Sequence, residues 1–450
     1  MAKYQQYNEY KDSGVEWLGE IPKDWEMWKI AHAYLEIGSG TTPPSSNEEW
    51  YVGDIPWVTT GELREKLILD TKKKVSKKTI KAFPTLRIYP VGSIAIAMYG
   101  ATIGRLGILG VEATTNQACC VMSQSNVIFN KFLYYWMQAF KDDIVRLSSG
   151  GGQPNINQET VASLKVSTPR HKEQVQIANF LDHETAQIDT LIEKQQTLIQ
   201  LLKEKRKAVI SHAVTKGLNP DAPMKDSGVE WLGSVPEHWV VAQLKFNTLM
   251  MQTGPFGSQL HAEEYIEDGI PLINPAHMID GDIVPDNRVT VDKATQERLE
   301  RHKLSEGDII FARRGELGRC AIVHKYQEGW ICGTGSLRAT LNDKLISEYA
   351  YLLITSDGLI SELSLESKGS TMDNLNTETL GRVRMPVPPR NEQYEIISHV
   401  SHVFGKYKVL VENAARAIQL MQERRTALIS AAVTGKIDVR GWRAADNKAS

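Results

Sequence analysis

A chain of 450 residues has room for two or three domains, and 42% apolar with 24% charged residues is an ordinary globular balance that excludes collagenous, mucin-like and disordered classes. With a net charge of −2 there is no global positive field, so any contact with nucleic acid has to come from local patches. The polar start MAKYQQYNEYKDS lacks the apolar core of a signal peptide, and no apolar run approaches the roughly 20 residues of a membrane span, which predicts a cytoplasmic protein with no membrane contact.

In chain order, the first distinctive stretch is KDSGVEWLGEIPKDW at 11–25, and it returns at 225–239 as KDSGVEWLGSVPEHW with eleven of fifteen positions identical. A repeat of that quality points to internal duplication. Trp17, Trp25, Trp231 and Trp239 can bury large areas, and nothing nucleophilic or metal-binding accompanies them. The motif is therefore read as a joint that fixes each domain to its neighbour, rather than as a ligand site.

Residues 26–165 and 240–385 read as mixed α/β domains. SIAIAM and DIIFAR look like strands, FLYYWMQAF and EYAYLLITS like short helices, and IGSGTTPPSS and QTGPFGS like loops. GSIAIAMYGATIGR from Gly92 matches GDIIFARRGELGR from Gly307, at an offset of 214 to 215. The segment Arg64 to Arg87 carries nine Lys or Arg against two acids, and taken alone a solvated surface explains it as well as a DNA contact does. Loops rich in Thr, Ser, Asn, Gln, Gly and Arg carry side chains that can bond phosphates and base edges, Asn or Gln suiting adenine and Arg suiting guanine.

After residue 155 the copies keep a strict offset of 219, from NINQET and NLNTET through KEQ and NEQ to KRKAVISHAVT and RRTALISAAVT. This part is helical by pattern, 166–217 and again 386–436. The heptad seam is assigned to Ile177, Leu181, Ile188, Leu191, Leu198 and Leu202 in the first helix, and to Val400, Val403, Leu410, Met421 and Leu428 in the second. Pro169 and Pro388 precede the helices and Gly217 and Gly435 follow them. Some 40 to 45 residues make a rod of about 60 to 65 Å. The first helix leaves the early domain and the second starts at the late one, so packing them together makes them antiparallel. The expected architecture is α+β: two α/β domains joined by two long antiparallel coiled-coil helices, an internal pseudo-two-fold repeat. Its segments are a joint at 1–25, a domain at 26–165, a helix at 166–217, the second joint at 218–239, a domain at 240–385, a helix at 386–436 and a polar tail at 437–450.

Several enzyme signatures are missing. There is no G-x-x-x-x-G-K-[ST] phosphate loop, no G-x-G-x-x-G, and no H-E-x-x-H zinc pattern among the eleven histidines. Asn274-Pro275 only faintly resembles the Asn-Pro-Pro-aromatic box of amino-methyltransferases. The four cysteines lack C-x-x-C spacing and are read as buried free thiols. A duplicated enzyme would show its chemistry twice, so a catalytic role is not expected.

The twice-written DSGVEWLG-x-x-P-x-x-W, the GSI/GDI-to-GR segment, N-x-N-x-E-T, P-x-x-x-E-Q and R-[KT]-A-[VL]-I-S together resemble the specificity subunits of type I restriction-modification systems over nearly the whole chain. That resemblance implies two target recognition domains, each reading one half of a gapped, asymmetric site in double-stranded DNA, on a helical ruler that docks two methylation subunits. It implies two restriction/translocase subunits besides. The chain itself would bind no cofactor, with S-adenosylmethionine, ATP and Mg held by the partners. Following the family pattern of loops and strand ends, the DNA contacts are assigned to Thr59, Thr60, Tyr99, Arg105, Asn116, Gln117 and Gln153 in the first domain. In the second they are assigned to Asn274, Arg313, Arg314, Arg319, Arg338 and Ser370.

Overall fold

The computed structural model describes residues 4–148, 155–315, 317–367 and 375–444. It is an α+β protein of two compact units, one formed by 1–196 with 416–450 and the other by 197–415. Two long helices, His171–Lys216 of 46 residues and Arg390–Val433 of 44, each give one end to each unit. No helix among the described residues is long and apolar enough to cross a membrane.

In the first unit a five-stranded sheet runs in the order Ile37–Ser39, Cys119–Met122, Ile94–Ala97, Leu106–Leu109, Lys66–Ile68, antiparallel except for its last pair. Beside it lies a three-stranded sheet in which Ile55–Val58 pairs in parallel with Thr114–Thr115 and antiparallel with Lys74–Val75. The second unit repeats the scheme. Thr248–Thr253, Ser336–Leu341, Ile309–Ala312 and Cys320–Ile322 form a four-stranded antiparallel sheet, and Ile270–Ile273 lies between Thr290–Val291 and Ile331–Cys332.

The strand Ile94–Ala97 is buried along its whole length because its alternating side chains serve two cores. Ile94 and Ile96 join the large core with Trp25, Trp136, Phe132, Phe180 and the helix residues Ile177 and Leu181. Ala95 and Ala97 face a second core with Val58, Leu63, Tyr89 and Leu109. Ile309 and Phe311 against Ile310 repeat this division in the second unit. Each central strand thus connects the helix-bearing side of its unit to the side that carries the loops.

The repeated motif holds helix ends. Trp25 is 1% exposed, and its indole N–H donates to Glu173 Oε1 at 3.1 Å, which also accepts the Tyr7 hydroxyl at 2.6 Å. Trp239 is fully buried and donates to Glu392 Oε2 at 3.0 Å, with His238 Nε2 at 2.8 Å from the same oxygen. Each tryptophan also packs on the glycine that ends the other helix. A Cβ on Gly435 would lie 2.3 Å from Pro22 and 3.3 Å from Trp25, and one on Gly217 would lie 3.2 Å from Trp239 and 3.7 Å from Pro236. Both glycines have positive φ, +72° and +79°, which suits the left-handed helix end where glycine is favoured. Burying an indole removes about 150 to 250 Å² from water, an upper bound of about 4 to 6 kcal/mol each.

One residue further on, Gln174 and Gln393 make matching sets of bonds. Gln174 accepts from Phe129 N at 2.7 Å and donates to Val127 O at 2.9 Å and Pro169 O at 2.8 Å. Gln393 accepts from Ile346 N at 2.8 Å and donates to Lys344 O at 2.8 Å and Pro388 O at 2.9 Å.

Along the long helices the seam differs in phase from the heptad assignment. Ile177, Leu181, Ile188, Val400, Val403 and Leu428 are buried, and Leu202 and Met421 are half-buried. Leu191, Leu198 and Leu410, assigned to the seam, are instead 50%, 42% and 40% exposed. Ile192, Ile199 and Val411, each one position later, are the half-buried residues. A helix of about 3.6 residues per turn drifts against a 3.5 repeat, and both neighbours are apolar at each of these steps. Within the first unit Asp189 meets Arg425 at 2.9 Å while His183 packs on Trp442. Within the second, Arg206 lies over Phe404 at 4.9 Å while Gly217 faces Glu392. As one number rises the other falls, so the segments paired inside each unit are antiparallel.

Candidate nucleic-acid interface

In the first unit the carbonyl ends of the parallel strands Ile55–Val58 and Thr114–Thr115 open onto a cluster of polar loops. Asn116 N donates to Val58 O at 2.9 Å, which sets Asn116 beside Thr59 and Thr60. Thr59 donates through N and Oγ1 to Glu62 Oε2 at 2.6 and 2.8 Å, and Glu62 Oε1 accepts Lys72 N at 3.1 Å. Met98 N donates to Ala118 O at 2.8 Å, and Tyr99 bridges Asn155, so Tyr99 stands at the same edge. Its hydroxyl is shifted up by partial burial, with Cys119 adding to the effect. Arg105 is half-buried in the turn that returns to Ala97. Gln117 is exposed and accepts from the Thr42 hydroxyl.

Thr41 and Thr42 reach this edge because Gly40 passes so close to the neighbouring strand that a Cβ would lie 1.7 Å from Thr115 O. Neither threonine is among the residues assigned from sequence. The signal for them is the glycine, which recurs as Gly254, where a Cβ would lie 1.8 Å from Gly333 O.

The second unit builds the same edge with different side chains. Gly333 N donates to Ile273 O at 2.8 Å, as Asn116 N does to Val58 O, and Arg313 N donates to Gly335 O at 2.9 Å, as Met98 N does to Ala118 O. Arg313 therefore stands where the first unit has Met98, and Arg314 where it has Tyr99. Arg313 is half-buried with Nε donating to Leu375 O at 3.3 Å, whereas Arg314 is exposed. Asn274 takes the place of Thr59, its Oδ1 accepting Gly335 N at 3.3 Å and its N donating to His277 Nδ1 at 3.2 Å. Arg319 is half-buried and donates to Pro275 O at 3.4 Å. Phe256, two residues after Gly254, is 60% exposed where the first unit has Thr42.

Arg338 requires a correction. It lies in the strand Ser336–Leu341 at 5% exposure, with Nη1 3.4 Å from Asp308 Oδ2 and Nη2 near Met250 Sδ, so it is a buried structural ion pair and not a base contact. Gln153 and Ser370 lie outside the described residues. The remaining assigned residues are gathered at one edge of each unit.

All four cysteines are buried, and burial pushes their thiols up, to about 12 for Cys120 and Cys332, so at neutral pH they are not thiolate nucleophiles. Among the described residues no group of three or more His, Cys, Asp or Glu is placed to hold a metal ion. The polar edge is suited to hydrogen bonding with an extended partner.

The family model for the type I restriction modification DNA specificity domain matches residues 22–201 and 259–413. The chain is 25% identical over 453 residues to the type I restriction enzyme MjaIX specificity subunit of Methanocaldococcus jannaschii, covering 98% of this chain and 99% of that one. It is 24% identical over 344 residues to the EcoKI specificity subunit of Escherichia coli K12, covering 75% and 71%. Among solved structures, the HsdS subunit from Thermoanaerobacter tengcongensis aligns with a TM-score of 0.58 at 14% identity, over 93% of this chain and 98% of that one. A chain from a structure of type I R-M complex assembly and conformational transition aligns with a TM-score of 0.68 at 14% identity, over 93% and 99%. At such identity these two show a shared fold.

Proposed function

The chain belongs to the type I restriction-modification DNA specificity family, and from that premise we propose how it reads its target. Each unit reads one half of a gapped, asymmetric site in double-stranded DNA through the edge where Thr59, Asn116 and Tyr99, or Asn274 and Arg314, converge. The observation that carries this reading is an edge built twice by the same backbone bonds and furnished with different side chains. Equal frames put equivalent groups at both half-sites, and unequal side chains read unequal bases. Tyr99 against Arg314, and Thr42 against Phe256, make the two half-sites differ.

The long helices, about 69 and 66 Å at 1.5 Å per residue, set the unspecified gap and offer the docking surface for two methylation subunits. Two restriction/translocase subunits complete the complex. S-adenosylmethionine, ATP and Mg belong to these partners, and the chain contributes recognition without chemistry.

Mapping methylated bases in cells carrying the whole system is the direct test, with a bipartite motif expected. Inserting one or two helical turns into 190–200, with a matched insertion in the second helix, should lengthen the gap and leave both half-sites unchanged. A continuous motif, or half-sites altered by the insertion, would sink the reading.

A further inference from the structure

We propose that the basic lobe from Arg64 to Arg87 in the first unit grips DNA phosphates beside its half-site without reading sequence, and that the second unit has no equivalent grip; the proposal rests on the DNA-reading function above. The run holds nine cations and two acids, and the structure shows which of them are free to act. Lys74 pairs with Asp70 at 2.9 Å, Arg87 with Glu36 at 3.4 Å, and Lys73 lies over the Tyr51 ring at 4.3 Å. The other acid of the run, Glu65, is taken by Lys141 at 3.1 Å. Arg64, Lys66, Lys72, Lys77, Lys78 and Lys81 remain, all exposed and without an acidic partner among the described residues.

Local folding turns these cations outward. In the short helix Lys77–Ala82, Thr79 is buried and donates to Trp50 O at 3.0 Å, and Ile80 packs on the small core of Trp57, Val75 and Leu86. Lys77, Lys78 and Lys81 are left on the solvent side. Lys72 N is bonded to the same Glu62 carboxylate that holds Thr59, so the lobe begins one side chain away from the proposed reading edge.

The corresponding segment of the second unit, 279–303, carries five Lys or Arg against six Asp or Glu. There Arg288 pairs with Asp286 at 3.0 Å and Arg298 with Glu264. Similar backbones therefore present a strongly positive surface in one unit and a nearly neutral one in the other, on a chain whose net charge is only −2. Exposed lysines that neutralise phosphates release condensed counterions, and each such contact adds about 0.9 to the slope of log affinity against log salt. The salt dependence of target binding is thus placed mainly on the first unit.

The test uses the chain assembled with its methylation subunits, carrying Lys72→Gln, Lys77→Gln, Lys78→Gln and Lys81→Gln together. Binding to cognate duplex and to duplex with both half-sites scrambled is measured over about 50 to 200 mM salt. The slope should become shallower by about 2 to 4, with the ratio of cognate to scrambled affinity unchanged. Lys293→Gln, Arg301→Gln and Lys303→Gln together should change it by less than about 1. An unaltered slope in the first variant with cognate preference intact overturns the proposal and turns the lobe towards a protein partner. A preference lost only at the first half-site overturns it too, because the lysines would then read bases. If the unsubstituted complex shows no cognate preference, the DNA-reading function itself has failed, and the proposal falls with it.

Discussion

Replacing Arg338 by leucine separates a structural ion pair from a DNA contact. Asp308 is fully buried, and its carboxylate accepts Ser305 N at 2.9 Å and the Thr340 hydroxyl as well as facing the guanidinium. In Arg338→Leu the carboxylate stays buried and loses its counter-charge, a change that costs about 3 to 5 kcal/mol. The pair is long at 3.4 Å, and Arg338 Nε has no hydrogen-bond partner, which places the cost near the lower end, about 3 kcal/mol. With a urea m-value of about 2 to 3 kcal/mol/M, the unfolding midpoint of the second unit should fall by about 1 to 1.5 M. Adding Asp308→Asn removes the stranded charge while keeping an acceptor for Ser305 N, so the double variant should recover most of the loss. Urea unfolding followed by tryptophan fluorescence measures both. A midpoint that stays within about 0.3 M in the single variant, together with relaxed preference at one base pair, would refute the assignment and restore Arg338 as a reader.

Arg314→Ala removes an exposed guanidinium from the second edge. It should cost about 1 to 3 kcal/mol at one position of one half-site, seen as relaxed methylation specificity there with the other half-site unaffected, whereas a loss uniform over sequences would assign Arg314 to phosphate. Gln174→Ala and Gln393→Ala each strip partners from one buried N–H and two carbonyls. Each should lower stability by about 2 to 4 kcal/mol, in the unit that carries it, as read by hydrogen exchange at Phe129 or Ile346; protection unchanged at those amides would show the glutamines to be dispensable.

How far this arrangement was legible in the sequence depended on the range of the interactions. Strand Ile94–Ala97, the short helices and the ends of the long helices near Gly217 and Gly435 follow from local signals that act within a few residues. The helix starts assigned at 166 and 386 are corrected by the structure: those residues lie in the strands Lys165–Thr168 and Arg384–Val387, which pair with Glu26–Lys29 and Val240–Gln243, and the helices begin at His171 and Arg390, after Pro169 and Pro388. The seam phase was not legible. Leu191 and Ile192, Leu198 and Ile199, and Leu410 and Val411 offer apolar alternatives side by side, and only packing chooses between them. The burial of Arg338 has no local signal, because GTGSLR has the composition of a polar loop and its partner Asp308 lies 30 residues away. The role of Gln174 has no local signal either, since its three bonds reach backbone atoms up to 47 residues distant.

The two rates at which the copies have diverged have a physical cause in the kind of atom each contact uses. In the frame, Trp25 and Trp239 bond carboxylates through their indoles, and Gln174 and Gln393 satisfy three backbone groups with one amide, so any other side chain would strand a buried polar atom. The glycines closing the helices are fixed by the rings packed against them. At the polar edge, by contrast, the geometry is held by backbone bonds such as Asn116 N to Val58 O and Gly333 N to Ile273 O, which form whatever the side chain is. Tyr99 can become Arg314 and Thr59 can become Asn274 without loosening the strand ends that carry them. The segment KDSGVEWLG-x-x-P-x-x-W is therefore written twice because each unit must clamp the start of one long helix and the end of the other. What the clamps leave free is the polar edge of each unit, where the side chains differ while the backbone bonds stay the same.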